Sequence, residues 1–375
     1  MLNTPLKAQA VTAGAERIIA VYHVSDTADR IEARAHTIAV EQSVEMPVSA
    51  ISDRTVLEDI VGRVEDIREL GKDRFELRIG LAVSTTGLEA GQLMNMLFGN
   101  SSIHADLKLV DAVFPENLLA AFRSPRPGLA GWRSRAGARD RALTCSALKP
   151  QGLPARELAL IAGKLAQGGL DFIKDDHGLA DQAYSPFAER VPRVAEAVAT
   201  ARAGGKTGYL PSLNGNLDQM RRQIEIVRQA GLDAVLIAPM TIGVPSFHTL
   251  ARENPDIAIM AHPALAGPSH IAPPLLLGKL FRLFGADATV FPNHGGRFGY
   301  LPATCRELAE AALAPWGGLS DCVPVPAGGM TPERVPEMLE FYGKDVMLLI
   351  GGGLLAAGPR MTEEAAAFCA AVGAR

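Results

Sequence analysis

The chain has 375 residues, 48% of them apolar and 21% charged, with a net charge of −4, a globular composition long enough for two domains and without the basic excess of a nucleic-acid or anionic-membrane binder. Its four cysteines, Cys145, Cys305, Cys322 and Cys369, form no CxxC pair, which argues against a disulfide framework or a cysteine zinc site. No apolar run reaches the ~18 residues of a membrane span and the N-terminus lacks a basic region leading into an apolar one, so a cytoplasmic protein with no signal peptide is expected.

In chain order, "ERIIAVYHV" predicts a strand and "IEARAHTIAVEQS" a helix. "VGRVEDIREL" and "RFELRIGLAV" predict two strands joined by a turn at "GKD". "GLEAGQLMNMLFG" predicts a second helix and "ADLKLVDAVFP" a last strand. That β-α-β-β-α-β order specifies a small ferredoxin-like α+β domain, assigned to 1–122. The Pro-, Gly- and Arg-rich stretch "SPRPGLAGWRSRAGARDR" reads as a linker over 123–141. From 142 to 375, eight short apolar runs alternate with amphipathic stretches, from "ALTCSALKP" and "LDFIKDD" to "CVPVPAGG" and "DVMLLIGGG". Buried strands alternating with helices argue for a parallel sheet, and eight units for a closed (β/α)8 TIM barrel rather than an open doubly wound sheet. No early GxGxxG follows the first strand, as the open dinucleotide-binding sheet would have it.

A barrel of this kind builds its site at the C-terminal ends of its strands. "GGLDFIKDDH" ends there in four ionisable residues. Alternation sends Lys174 and Asp176 to one side of that strand and Asp175 to the other, with His177 at its end. These side chains suit a divalent cation only if the lysine is neutral or modified, because an ammonium has no lone pair to give. An ordinary Lys–Asp ion pair plus a helix cap is the plainer account of the same letters. Other strand ends add Lys149 in "LKP", His262 in "AHPAL", His294 and Arg297 in "FPNHGGRFGY", and the glycines of "PAGGM" and "IGGGL". The last two follow strands seven and eight, where this fold usually places a phosphate.

This constellation resembles the large subunit of RuBisCO over most of the chain. "GGLDFIKDDH" is similar to that family's GG-x-DF-x-KDDE segment, and "LTCSALKP" to the strand presenting its catalytic lysine, here Lys149. "FGAD" followed by "GGRFG" resembles its sixth strand and mobile loop, and "PAGGM" and "IGGGL" its phosphate loops, here Gly328, Gly329, Gly351 and Gly352. "IAVEQSVE" and "MLFGNSS" resemble the segments that carry a glutamate and an asparagine into the neighbouring subunit's site, here Glu41 and Asn100. The resemblance therefore implies a homodimer, or a higher assembly of dimers.

The departures narrow the reading. The family's metal-binding glutamate is His177, its loop lysine Arg297 and its strand-six histidine Val290. The phosphate-binding arginine after the strand-five histidine is Pro263, the serine before the first glycine pair is Ala327, and KPKLG is shortened to "KPQG". The pattern resembles the RuBisCO-like (form IV) proteins, which enolise other phosphorylated substrates and do not fix carbon dioxide. The resemblance implies that Lys174, carbamylated by CO2, joins Asp176 and His177 on Mg2+ or, given the imidazole, Mn2+. Lys149 would be the general acid or base, with His262 and Arg297 among the catalytic residues. The planar fork of Arg297 suits a carboxylate, so decarboxylation of a phosphorylated keto-acid through an enediolate is the expected reaction. Enolisation or isomerisation of a methylthio-pentulose phosphate in methionine salvage is the second reading, and a catalytically silent binding protein the third.

Overall fold

Apolar residues along "RIIAVYHVS" put Ile18, Ala20, Tyr22 and Val24 on a buried face, and this strand, β1 (Arg17–Ser25), is central to the first sheet. The computed structural model describes residues 16–201, 207–296 and 298–373 and divides into two units, Met1–Ala121 and Phe122–Arg375. The N-terminal segment expected to hold no signal peptide lies almost wholly outside the described residues, and Arg297 also falls outside them.

In the first unit, α1 (Ile31–Glu41) follows β1, then come β2 (Arg63–Gly71), β3 (Arg74–Ala82), α2 (Ala90–Phe98) and β4 (Leu107–Val113). The strands pair antiparallel in the order β2-β3-β1-β4, the ferredoxin-like arrangement. Both helices are amphipathic. Ile31, Ala35 and Ile38 of α1 and Leu93, Leu97 and Phe98 of α2 are buried, and the Tyr22 hydroxyl donates to the Leu97 carbonyl at 2.5 Å.

The second unit holds eight strands: β5 (Leu143–Leu148), β6 (Phe172–Asp175), β7 (Gly208–Leu210), β8 (Ala234–Ile237), β9 (Ala258–Ala261), β10 (Ala288–Pro292), β11 (Val323–Ala327) and β12 (Met347–Leu349). Parallel ladders join them as β12-β5-β6-β7 and β8-β9-β10-β11. A bridge between Ser212 and Leu236 continues the pairing from the β7 side to β8, and β11 lies beside β12. The cyclic order is that of a (β/α)8 barrel. Cys145, Phe172, Leu210, Leu236, Met260, Val290, Val325 and Leu349 fill its interior, one from each strand.

Two stretches differ from the sequence reading. The expected linker is helical over Gly128–Ala136, and a preceding helix spans Glu116–Phe122. Trp132 from that stretch is fully buried, edge-on to Phe172 at 4.9 Å, with its indole N–H donating 3.0 Å to the Asp287 carbonyl. Arg126 pairs with buried Asp287. The stretch closes the floor of the barrel, and its Pro, Gly and Arg content reflects capping and anchoring, not slack chain. Between β9 and β10 the chain winds as a π-helix over Pro274–Leu280. Among the described residues, no helix is long and apolar enough to cross a membrane.

Candidate active site

The inward positions of β5 and β6 are apolar deep in the barrel and ionisable at its mouth. Cys145 and Phe172 belong to the packed interior, and two residues further along their strands stand Ala147 and Lys174. Lys149 and Asp176 come next, and the Lys149 ammonium lies 2.7 Å from Asp176 Oδ1. Lys174 is 3% exposed, and its Nζ donates to the Asp175 carbonyl at 3.0 Å. Burial, reinforced by the charge of Lys149, lowers the Lys174 pKa toward the neutral amine. Burial opposes the charge on Asp176, yet hydrogen bonds from His177 and Lys149 and the charge of Lys174 outweigh it and hold its carboxyl well below the usual carboxylate range.

Asp175 faces the other way and is fully buried. It accepts from Arg190 Nε at 3.2 Å, the Tyr209 hydroxyl at 2.8 Å and the Ser212 N–H at 3.0 Å. Arg190 in turn donates to the Ser185 and Ala180 carbonyls. Of the two adjacent aspartates, one ties β6 to its helix Phe187–Ala201 and the other reaches the mouth. Alternation separates them in the sequence. The partners Arg190 and Tyr209 have no local signal there.

His177 Nδ1 lies 3.6 Å from Asp176 Oδ1, and its ring stacks on His262 at 4.1 Å and 9°. Burial, together with the charges of Lys174 and His177, pushes His262 down to about 2, so it is a neutral imidazole at neutral pH. Its Nδ1 accepts from the Ala264 N–H at 3.2 Å, which leaves the ring proton on Nε2.

The opposite strand ends are apolar. Val290 is buried in the barrel interior, Ala327 packs against the same cluster, and Pro263 follows His262 directly. Gly328 and Gly329 follow β11 with φ of +84° and +71°. Gly351 and Gly352 follow β12, with Gly352 opening a short helix to Leu355. In the first unit, Asn100 Nδ2 donates 3.0 Å to Glu41 Oε1 and 2.7 Å to Glu45 Oε1, so those two sequence-selected residues meet each other and a third that the sequence reading passed over. Asn293 and Tyr342 beside the glycine loop were also passed over, since an asparagine in a loop and a tyrosine in a helix carry no pattern of their own.

Among the described residues, no group of three or more His, Cys, Asp or Glu is placed to hold a metal unaided. The donors at the mouth fit a divalent cation on one condition. Asp176 offers a carboxylate held ionised and His177 an imidazole nitrogen beside it. Lys174 adds an oxygen only as a carbamate, and the neutral amine that its burial favours is the form that reacts with carbon dioxide.

Comparison with known proteins identifies the family. Residues 128–301 match the family of the ribulose bisphosphate carboxylase large chain, catalytic domain. The chain is 60% identical to 5-methylthioribulose-1-phosphate isomerase of Rhodospirillum rubrum, over 95% of this chain and 96% of that protein. It is 30% identical to 2,3-diketo-5-methylthiopentyl-1-phosphate enolase of Geobacillus thermodenitrificans, over 90% and 87% of the two chains. The crystal structure of a Rubisco-like protein from Rhodopseudomonas palustris, 55% identical, superposes with a TM-score of 0.90 over 96% of this chain and 98% of that one. The chain belongs to the RuBisCO-like proteins of the ribulose bisphosphate carboxylase large-chain family.

Proposed function

We propose that the protein is an isomerase of a methylthio-pentulose phosphate, moving protons through an enediolate. The observation that carries this reading is the chemistry of the mouth's second wall. Where a bisphosphate would need a cationic clamp, the chain has Pro263, Val290 and Ala327. An uncharged thioether is favoured against such a wall, and a second phosphate would find no counter-charge in these three side chains. The name of the Rhodospirillum rubrum relative points the same way. Decarboxylation, the reading that Arg297 favoured in the sequence, has no comparable support from these relatives.

The roles follow from position. Lys149 Nζ, beside Asp176, takes the proton from the carbon beside the ketone as the neutral amine and returns it as the ammonium. His262 donates from Nε2 to a substrate oxygen while its Nδ1 stays on the backbone. The N–H groups of Gly328, Gly329, Gly351 and Gly352 grip the phosphate. Lys174 as carbamate, Asp176 and His177 would hold Mg2+ or Mn2+, which when bound supplies Lewis-acid polarisation of the ketone. The working form is a homodimer, in which the Glu41–Asn100 pair serves the partner's site; a fully active monomer in solution would refute this part.

The test is incubation of the purified protein with 5-methylthioribulose 1-phosphate in D2O, followed by proton and phosphorus NMR. Deuterium entering a carbon position with phosphate ester retained is the expected result. Inertness toward this compound, with carbon dioxide released from a phosphorylated keto-acid, would return the reading to decarboxylation.

A further inference from the structure

Two successive glycines in the left-handed region, Gly328 and Gly329, give the loop little stiffness of its own. Both sides of this pair are tied to one residue of the preceding loop. The Asn293 backbone N–H donates 2.9 Å to the Ala327 carbonyl, immediately before the pair. The Asn293 side-chain amide donates 3.1 Å to Met330 Sδ, immediately after it. The same amide donates 2.9 Å to Met338 Sδ, and its oxygen accepts from the Tyr342 hydroxyl at 2.6 Å. Asn293 is fully buried, so its amide hydrogens have no water to turn to, and two weak thioether acceptors are what hold them. Burial also raises the Tyr342 hydroxyl above its usual range, so it remains a donor and fixes which end of the amide faces the sulfurs. The chain around Asn293 is pressed close as well: a Cβ at Gly296 would stand 2.3 Å from the Gly328 carbonyl oxygen.

We infer that Asn293 is a positioning residue for phosphate binding, clamping the Gly328–Gly329 pair from both sides, with Tyr342 orienting the clamp. It touches no substrate and acts through the loop. The inference rests on the reading that this glycine pair holds the substrate phosphate.

The experiment measures binding of inorganic phosphate and of 5-methylthioribulose 1-phosphate by calorimetry, with steady-state kinetics, in the full-length protein and in Asn293→Ala, Met330→Leu and Tyr342→Phe. Asn293→Ala should weaken both ligands about tenfold and raise KM by a similar factor, with kcat within about twofold. Met330→Leu keeps the packing volume and removes only the sulfur, and Tyr342→Phe removes only the hydroxyl, so each should weaken binding about threefold. If the unaltered protein binds neither ligand, the phosphate reading itself fails. If it binds both, and the variants melt earlier yet bind as tightly as it does, Asn293 is merely structural and the inference is overturned. Should Asn293→Ala fail to fold, the other two variants decide, and unchanged affinity in both refutes the clamp.

Discussion

The two walls of the barrel mouth are built from the same kind of strand and have opposite chemistry. On the β5–β6 side the inward positions end in the Lys149–Asp176 ion pair and in buried Lys174. On the β9–β11 side, beyond His262, they run through Val290 to Pro292 and Ala327, continuous with the barrel's apolar interior. One wall can polarise a substrate and move its protons. The other, below the Gly328–Gly329 turn that follows it, excludes water and accepts an apolar group. A substrate with a reactive, phosphorylated end and an inert apolar end satisfies both, and a bisphosphate satisfies one. The contrast recurs within β6, where Asp175 and Asp176 share a strand and have separate uses.

The strongest test of the charged wall is Lys149→Met, which removes the proposed proton carrier and leaves Asp176 without its closest cation. Turnover should fall by roughly 10²- to 10⁴-fold, the range of general acid–base catalysis, with the melting temperature little changed because Lys149 is partly exposed. Retention of more than about a tenth of the activity would remove Lys149 from the proton transfer.

Asp175→Asn tests whether the adjacent carboxylates are truly separate. Arg190 is fully buried against Asp175, and breaking such a pair by removing one partner costs about 3–5 kcal/mol. Urea unfolding should show that loss, while the fraction still folded turns over normally. A variant of full stability and no activity would place Asp175 in the chemistry and collapse the distinction between the two faces of β6.

How much of this was legible in the sequence differs by kind of information. The eight strands and the β-α-β-β-α-β unit could be read because period-2 and period-3.6 patterns are local. The inward placement of Lys174 and Asp176 could be read because alternation along one strand is local too. The floor helix could not, because Trp132 and Arg126 find their purpose only against Phe172 and Asp287, far along the chain. Stacking of His177 on His262 was hidden for the same reason. So was the apolar wall: Pro263, Val290 and Ala327 stood in the sequence as three missing polar residues, and only the barrel shows that Val290 and Ala327 share one interior cluster.

The pH dependence of stability separates His262 from the carboxylates beside it. Its folded pKa is pushed down to about 2 by burial and by the neighbouring positive charges. The unfolded imidazole titrates near ~6.5, so below that pH the unfolded chain binds a proton that the folded chain refuses. Stability is therefore full above about pH 6.5 and falls as pH drops toward 2, by up to about 1.4 kcal/mol per unit. Asp176 works over a different window: its depressed pKa contributes stability above the unfolded value of ~3.9 that is lost only at lower pH. Urea unfolding between about pH 7 and pH 5, without divalent ions, should show a slope that His262→Gln flattens. An identical slope in the two proteins would mean that His262 takes up its proton in the folded state, and that the charged wall is more open to water than its burial implies.

The smallest expected effect belongs to the apolar wall, and it is the most specific. Ala327→Ser adds one hydroxyl beside the barrel interior and changes little else in volume. If the wall seats the methylthio group, the hydroxyl must be partly desolvated when substrate binds, at a cost of about 0.7–1.4 kcal/mol, toward the low end for burying a hydroxyl. The loss in kcat/KM for 5-methylthioribulose 1-phosphate should therefore be roughly three- to tenfold. The same variant should handle 5-deoxyribulose 1-phosphate, which lacks the sulfur and its methyl, nearly as the unaltered protein does, because that substrate makes no contact there to lose. The ratio of the two specificities is what matters, since it cancels any general damage to the phosphate loop next to Ala327. A ratio that stays fixed while both values fall would show that the substitution acts through Gly328 and Gly329, and the thioether would then have to lie against another part of the mouth. A ratio that contracts toward one assigns the apolar end of the substrate to β10 and β11.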